Sequence, residues 1–283
     1  MLMIRIIQIA VLGSLALWPA GCNSIGEEPI WEHVKITDLA PSDNNKQPDT
    51  QLLKTINFNL YIFEIPAEDI GTLDDVWPMV YDQPLRFNSF EAFGANLFLA
   101  GFGQIPMWGR IADLLRSADG IQAGTVSLLL PDGQSNDVAV AVLGQEQTVF
   151  YISNKGLTKR VKLGPGQLGL RIQAEKIPDS RGICKVSVLP VFSPLKRSSI
   201  RPLPGREKSG EFLFTSAGFI LKMSPGDFVL VGPDEYDRGQ TTLGSLFFSK
   251  PEGSLFFNEL ERKAPKLKPS VRLFLVVCTS INF

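Results

Sequence analysis

Few side chains in this sequence have the types and spacing that chemistry needs. His33 is the only histidine, and it lies in a polar stretch broken by Pro29, Pro41 and Pro48. A lone imidazole there reads as solvated, so a Ser-His-Asp or Cys-His arrangement would have to recruit it from a tether. One histidine with Cys184 and Cys278 offers no zinc-ligand spacing. Gly164-Pro165-Gly166-Gln167-Leu168-Gly169 matches the glycine pattern of a phosphate loop. That loop must open a helix whose amides face the phosphates, whereas a strand pattern follows here and the proline removes a donor. The segment therefore reads as a hairpin turn. Acidic groups cluster at Glu68-Asp69, Asp74-Asp75 and Asp234-Glu235 with Asp237. Glycan hydrolysis needs two carboxylates across a cleft, and calcium needs several oxygens in one loop. Solvated helix starts and turns explain these carboxylates more simply. No catalytic residue, metal or cofactor is assigned.

Two further features are interaction candidates. Gly244-Ser245-Leu246-Phe247-Phe248 recurs as Gly253-Ser254-Leu255-Phe256-Phe257, with Ser249-Lys250-Pro251-Glu252 between them. This reads as a hairpin of two matched aromatic strands whose consecutive phenylalanines point to both faces. Burial on both sides is the first reading, and an interaction surface made by Phe247, Phe248, Phe256 and Phe257 is the alternative. The proline-rich loop 193–210 carries Lys196, Arg197, Arg201, Arg206 and Lys208. It offers a basic contact for anionic headgroups or an acidic partner, beside the plainer reading of a solvated loop. Cys184 and Cys278 lie in apolar, strand-like runs. They read as small buried hydrophobes, because nothing in the sequence brings the two strands together; pairing in an oxidising compartment is the alternative.

The elements that position these groups follow from periodicity. Thr55–Ile65 alternates with β-branched and aromatic residues and predicts a strand. Pro66 suits the start of a helical turn. Leu85–Asn88 and Leu97–Phe102 predict strands, and Ile105–Ala118 predicts a helix with Met107, Ile111, Leu114 and Leu115 on one face. After Gln122 the helical period disappears. Strands are expected at 125–130, 138–143, 148–152, 159–163, 168–175, 184–192, 211–223, 228–231, 243–248, 255–258 and 271–279. The fold class is α+β: a small N-terminal β-α-β-α unit over 53–121, then a predominantly antiparallel β body over 122–283, sandwich or barrel-like. Apolar content of 44% suffices for a core, and a net charge of −1 provides no field for nucleic acid.

The first residues place the chain. Arg5 precedes an apolar run from Ile6 to Trp18, too short for the ~20 residues of a spanning helix, and Pro19-Ala20-Gly21-Cys22 follows. A cut after Ala20 would set Trp18 where a small residue is needed, whereas a cut before Cys22 leaves small residues beside the break. This junction resembles the lipobox of bacterial lipoproteins. The resemblance implies a signal peptide over 1–21, a lipid on Cys22, a polar tether over 22–52 and membrane attachment through the acyl chains. With Asn23 next, it implies the periplasmic face of the outer membrane where a cell has one.

Ser224-Pro225-Gly226-Asp227, then Phe228–Gly232, Thr242-Leu243-Gly244-Ser245-Leu246-Phe247 and a closing strand Val271–Cys278 loosely resemble the end of bacterial secretin β-domains. That resemblance implies a secretin-like sheet in a monomeric or assembly-associated protein, not a pore. Together these readings give an envelope lipoprotein with a non-catalytic binding or scaffolding role and a protein partner. The alternatives are a carboxylate-based hydrolase of an envelope polymer and a ligand-carrying lipoprotein.

Overall fold

The computed structural model describes residues 54–178, 180, 182–195, 210–239, 241–256 and 266–282. In chain order they form β1 (Thr55–Pro66), α1 (Leu73–Val76), β2 (Arg86–Phe87), α2 (Phe90–Ala95), β3 (Phe98–Gln104), α3 (Ile105–Ser117), β4 (Ile121–Pro131) and β5 (Ser135–Leu143). There follow β6 (Gln147–Ile152), β7 (Thr158–Leu163), β8 (Gly166–Lys176), β9 (Cys184–Pro194), β10 (Phe212–Leu213), β11 (Phe219–Met223), β12 (Asp227–Pro233), α4 (Leu243–Phe248), β13 (Ser249–Phe256) and β14 (Lys266–Ile281). The body is β-rich and antiparallel as expected, and it is not a closed barrel.

One sheet runs β3-β12-β14-β1-β4, with β13 also paired to β14. A second runs β2-β11-β9-β8-β5, with β10 on β9, and β6 and β7 form a separate ribbon. The first sheet is the middle layer, because its strands are apolar on both faces. Phe58 and Leu60 of β1 and Phe274 and Val276 of β14 join the core shared with the second sheet. Phe63 and Ile65, with Val271, Leu273 and Leu275, point the opposite way, against α1 and α3. The register sets Phe58 opposite Cys278, Leu60 opposite Val276 and Phe63 opposite Leu273. This is the near-continuous apolar run of a strand covered on both sides.

α3 lies on this sheet through Ile111 and Leu115, two of the four residues placed on one face by the sequence pattern. It stops where Asp119 takes a positive φ of 51° and the Gly120 amide donates to the Leu115 carbonyl at 2.8 Å. A Cβ on Gly120 would sit 2.5 Å from that carbonyl oxygen, so only glycine closes the helix this tightly.

The strand β1, the first of the α+β unit expected over 53–121, sits between β14 and β4, so β1 and β3 share a sheet with strands of the β body, within one compact unit from Gln51 to Phe283. Two expectations are corrected. The Gly164-Pro165-Gly166 segment leads into a strand, but it does not close a hairpin: β7 pairs with β6, whereas β8 pairs with β5 and β9. Finally, 243–248 is a helix rather than a strand. Thr242 caps it, accepting from the Ser245 amide at 3.3 Å while the Ser245 hydroxyl accepts from the Thr242 amide at 3.2 Å.

One end of the interface between the sheets is closed by charge. The carboxylate of Glu64, 4% exposed, accepts from Lys250 Nζ at 3.2 Å and from Arg272 Nε at 3.3 Å. Arg272 Nη1 also donates to the Val140 carbonyl in the second sheet at 2.6 Å. Removing one member of such a cluster strands the others. Glu64→Ala should therefore cost about 3 kcal/mol in urea unfolding, at the low end for a buried pair because Lys250 keeps partial access to water. A loss within about 0.5 kcal/mol would show that solvent replaces the carboxylate.

Candidate interaction edge

β4 is the outermost strand of the first sheet. It pairs with β1 from Thr55 opposite Pro131 to Glu64 opposite Ile121. Among the described residues, 122–130 have no main-chain partner besides β1. Its sequence, IQAGTVSLLLP, contains no charged side chain, and its only proline is the last residue. Leu128 and Leu130 are buried in the core, while Thr125, Ser127 and Leu129 are exposed, Leu129 to 64%. Natural edges are usually blunted by lysine, proline, bulges or cover, since open N–H and C=O groups accept another strand. The opposite edge of the same sheet shows such cover. Tyr81 bridges the outer side of β3, donating to the Phe102 carbonyl at 2.8 Å and accepting from its amide at 2.7 Å. β4 has no such cover among the described residues, and its one irregularity is a bulge at Ala123, between Gly124 opposite Ile62 and Gln122 opposite Phe63.

A pocket of about 260 Å³ opens beside this edge, where the start of α3 only partly covers the sheet. Tyr61, Phe63, Ile105, Trp108, Phe228, Leu275 and Val277 line it, and Gln122 of β4 completes the lining. Trp108 is fixed by Phe63, with ring centroids 5.4 Å apart, and by Phe228 at 6.1 Å. Further along the same face the side chains are polar but uncharged. Ser127 Oγ donates to Asn59 Oδ1 at 2.9 Å, and Asn57 Nδ2 donates to Ser280 Oγ at 2.9 Å. The arrangement offers main-chain hydrogen bonds along β4 and an apolar, aromatic socket beside them.

The residues singled out by sequence are placed elsewhere. Phe247 and Phe248 lie in α4 and Phe256 in β13, all buried. Phe248 packs on Phe98 at 4.7 Å and Phe274 at 6.0 Å, and Phe247 on Phe98 at 5.7 Å. These rings are core, and the alternative of an exposed aromatic surface is corrected for them. Phe257, Cys22, His33 and the basic residues Lys196, Arg197, Arg201, Arg206 and Lys208 lie outside the described residues.

Among the acidic groups, Glu68 accepts from Lys268 at 2.5 Å, a bond that holds Lys268 above the ordinary amine range. Burial, then the neighbouring Glu68, raises Asp69. Asp237 closes its own loop, accepting from the Gly239 amide at 2.7 Å. A larger open groove of about 760 Å³ lies between 75–81 and α3, and among the described residues Asp75 is the one carboxylate lining it, beside Arg110 and Tyr81. A two-carboxylate mechanism would need a second one facing it.

Arg171 is a structural cation. It contacts Asp137 at 2.6 and 2.8 Å and Glu211 at 2.7 Å, and these bonds, Asp137 first, raise its affinity for the proton.

The two cysteines are brought together. Cys184 and Cys278 are both 0% exposed and free, and both belong to the core shared by the two sheets. The neighbouring Cys184 thiol, and then burial, push the Cys278 thiol far above its ordinary range.

Sequence reasoning found β4 as a strand but missed it as an edge. The available signal was the uncharged run between Asp119 and Asp132. Edge status itself depends on strand order.

No family model matches the chain, and no curated protein matches it. Among solved structures it is similar to the β-barrel secretin domain of InvG from the Salmonella SPI-1 injectisome, at 14% identity and a TM-score of 0.25. That match covers 81% of this chain and 63% of the other. A second structure, the cryo-EM injectisome secretin InvG from Salmonella, matches at 12% identity and a TM-score of 0.24, covering 81% and 65%. The likeness is weak, and the chain spans less than two thirds of the length of either structure.

The aromatic core assignment has a direct check. Phe248→Ser should lower unfolding free energy by about 3–5 kcal/mol, read from denaturant titration by circular dichroism. A stable fold with weakened partner binding would return this ring to the surface.

Proposed function

We propose that this chain is an exported, lipid-anchored envelope protein with a non-catalytic binding or scaffolding role, and that it holds a protein partner along β4. The observation that carries this reading is the open, uncharged edge. Strand addition gains affinity from main-chain hydrogen bonds and specificity from side-chain sockets at the sheet. The partner is accordingly an extended, uncharged segment of another envelope protein, with one bulky apolar side chain for the Trp108 socket. A place in a secretion or envelope-assembly complex fits a rigid sandwich held near the membrane by a lipid on Cys22.

Gentle membrane extraction followed by native mass measurement tests this. A defined assembly larger than the 31.2 kDa chain is expected. The double variant Thr125→Lys, Leu129→Lys places two charges at exposed positions of β4. It should dissociate that assembly while leaving the unfolding midpoint within about 0.5 kcal/mol of the parent. A monomer in the parent, or an assembly indifferent to both lysines, removes the edge reading. The anchor is checked separately: Cys22→Ser should move the protein from the membrane to the soluble fraction.

A further inference from the structure

Two sheets packed face to face stand about 10 Å apart, too far for most facing cysteines to bridge, since a disulfide requires its Cα atoms within about 4.4–6.8 Å. Sheets approach more closely where the chain turns from one to the other in a few residues. Such a corner exists here at Ser224-Pro225-Gly226, between the end of β11 and the start of β12. Gly226 takes a φ of +92°, and Asp227 closes the turn, its side chain accepting from the Ser224 amide at 2.7 Å.

Each cysteine is fixed to one end of this corner. Cys184 lies opposite Met223 in the second sheet, and its thiol donates to the Met223 carbonyl at 3.5 Å. Cys278 lies in the first sheet, and its carbonyl accepts from the Gly226 amide at 2.9 Å. The neighbours of the two cysteines are thus three positions apart in the chain. Both side chains are buried in the same core, without access to solvent.

We infer that Cys184 and Cys278 form a disulfide that staples the two sheets at this corner when the chain folds in an oxidising compartment. The inference rests on the export reading for the compartment only. The chemistry is thiol–disulfide exchange with a disulfide-bearing oxidant, either a dithiol oxidase or glutathione disulfide. One thiolate attacks the oxidant's disulfide and releases one of its sulfurs as a thiol. The second thiolate then attacks the protein sulfur of the mixed disulfide and releases the oxidant's other sulfur as a thiol. Two thiols lose two protons and two electrons, and the oxidant's disulfide becomes two thiols. Burial makes the folded thiols inert to this exchange, so the bond forms before β9 and β14 are locked in place.

The test uses the full chain carrying Cys22→Ser, in which Cys184 and Cys278 are the two remaining thiols. It is first recovered from cells that export it, then unfolded, reduced and refolded with oxidised and reduced glutathione. Both samples are denatured and treated with a maleimide polyethylene glycol. The refolded chain should take up no label until reduced, and two labels after reduction, with a cross-linked peptide joining 184 to 278. Its melting midpoint should fall by roughly 10 °C on reduction, because the bond closes a loop of nearly a hundred residues. Two labels without reduction, on a chain refolded to its native circular dichroism spectrum, overturn the inference. A chain that forms the bond on refolding but emerges from cells with both thiols free leaves the inference standing and overturns the export reading.

Discussion

The pairing of β1 with β14 in the middle of a sheet buried on both faces is the constraint on which the molecule depends. Over residues 58–65 and 271–276 the apolar side chains of these strands pack toward the second sheet on one face or toward α1 and α3 on the other. The sequence supplies Phe58, Leu60, Phe274 and Val276 on one side and Phe63, Ile65, Leu273 and Leu275 on the other. Where a charge does enter, at Glu64, two cations and a main-chain carbonyl complete a network around it. The strands are also the first and last of the described chain. Long-range closure therefore joins the two ends of the described chain into one sheet.

The same sheet order that buries β1 exposes β4. A strand with apolar side chains on one face and no charge on the other is compatible with a central or an edge position. Here the chain leaves β4 through Asp132-Gly133 into the second sheet, so no further strand follows beside it. The open hydrogen-bonding groups, the uncharged Asn57–Ser280 and Asn59–Ser127 pairs and the Trp108 socket lie along one margin of the molecule. That continuity gives a binding role its physical content: an added strand would gain hydrogen bonds and apolar burial together, with little desolvation of charge.

The repeated Gly-Ser-Leu-Phe-Phe shows how context overrides local pattern. The first copy is helical in α4 and the second enters β13 as a strand through Ser254, Leu255 and Phe256. Thr242 caps the first copy, and Gly244 packs so closely on residue 96 that a Cβ would lie 2.5 Å from its carbonyl oxygen. In the second, Gly253 has a φ of +70° after Pro251-Glu252, and a Cβ there would collide with the Lys268 carbonyl, which fixes the strand beside β14. The cap was legible in sequence as Thr-x-x-Ser before an apolar run. The partner strand was not, because Lys266–Lys268 lie beyond the segment read for the repeat.

The sequence by itself determined the elements, because alternation and a 3.6-residue period are local properties of neighbouring side chains. It specified β1, α3 and most strands of the body, and the strand after Gly164-Pro165-Gly166. Only the tertiary structure decided which strand became an edge, which face of each phenylalanine was covered, and that Cys184 and Cys278 fall in one core at the same corner. Each of these depends on pairing residues far apart in the chain. Pairing free energy comes from burial and hydrogen bonds that exist only after the sheets have closed. The sequence lists the groups able to bind a partner, and strand order selects the ones left open to do so.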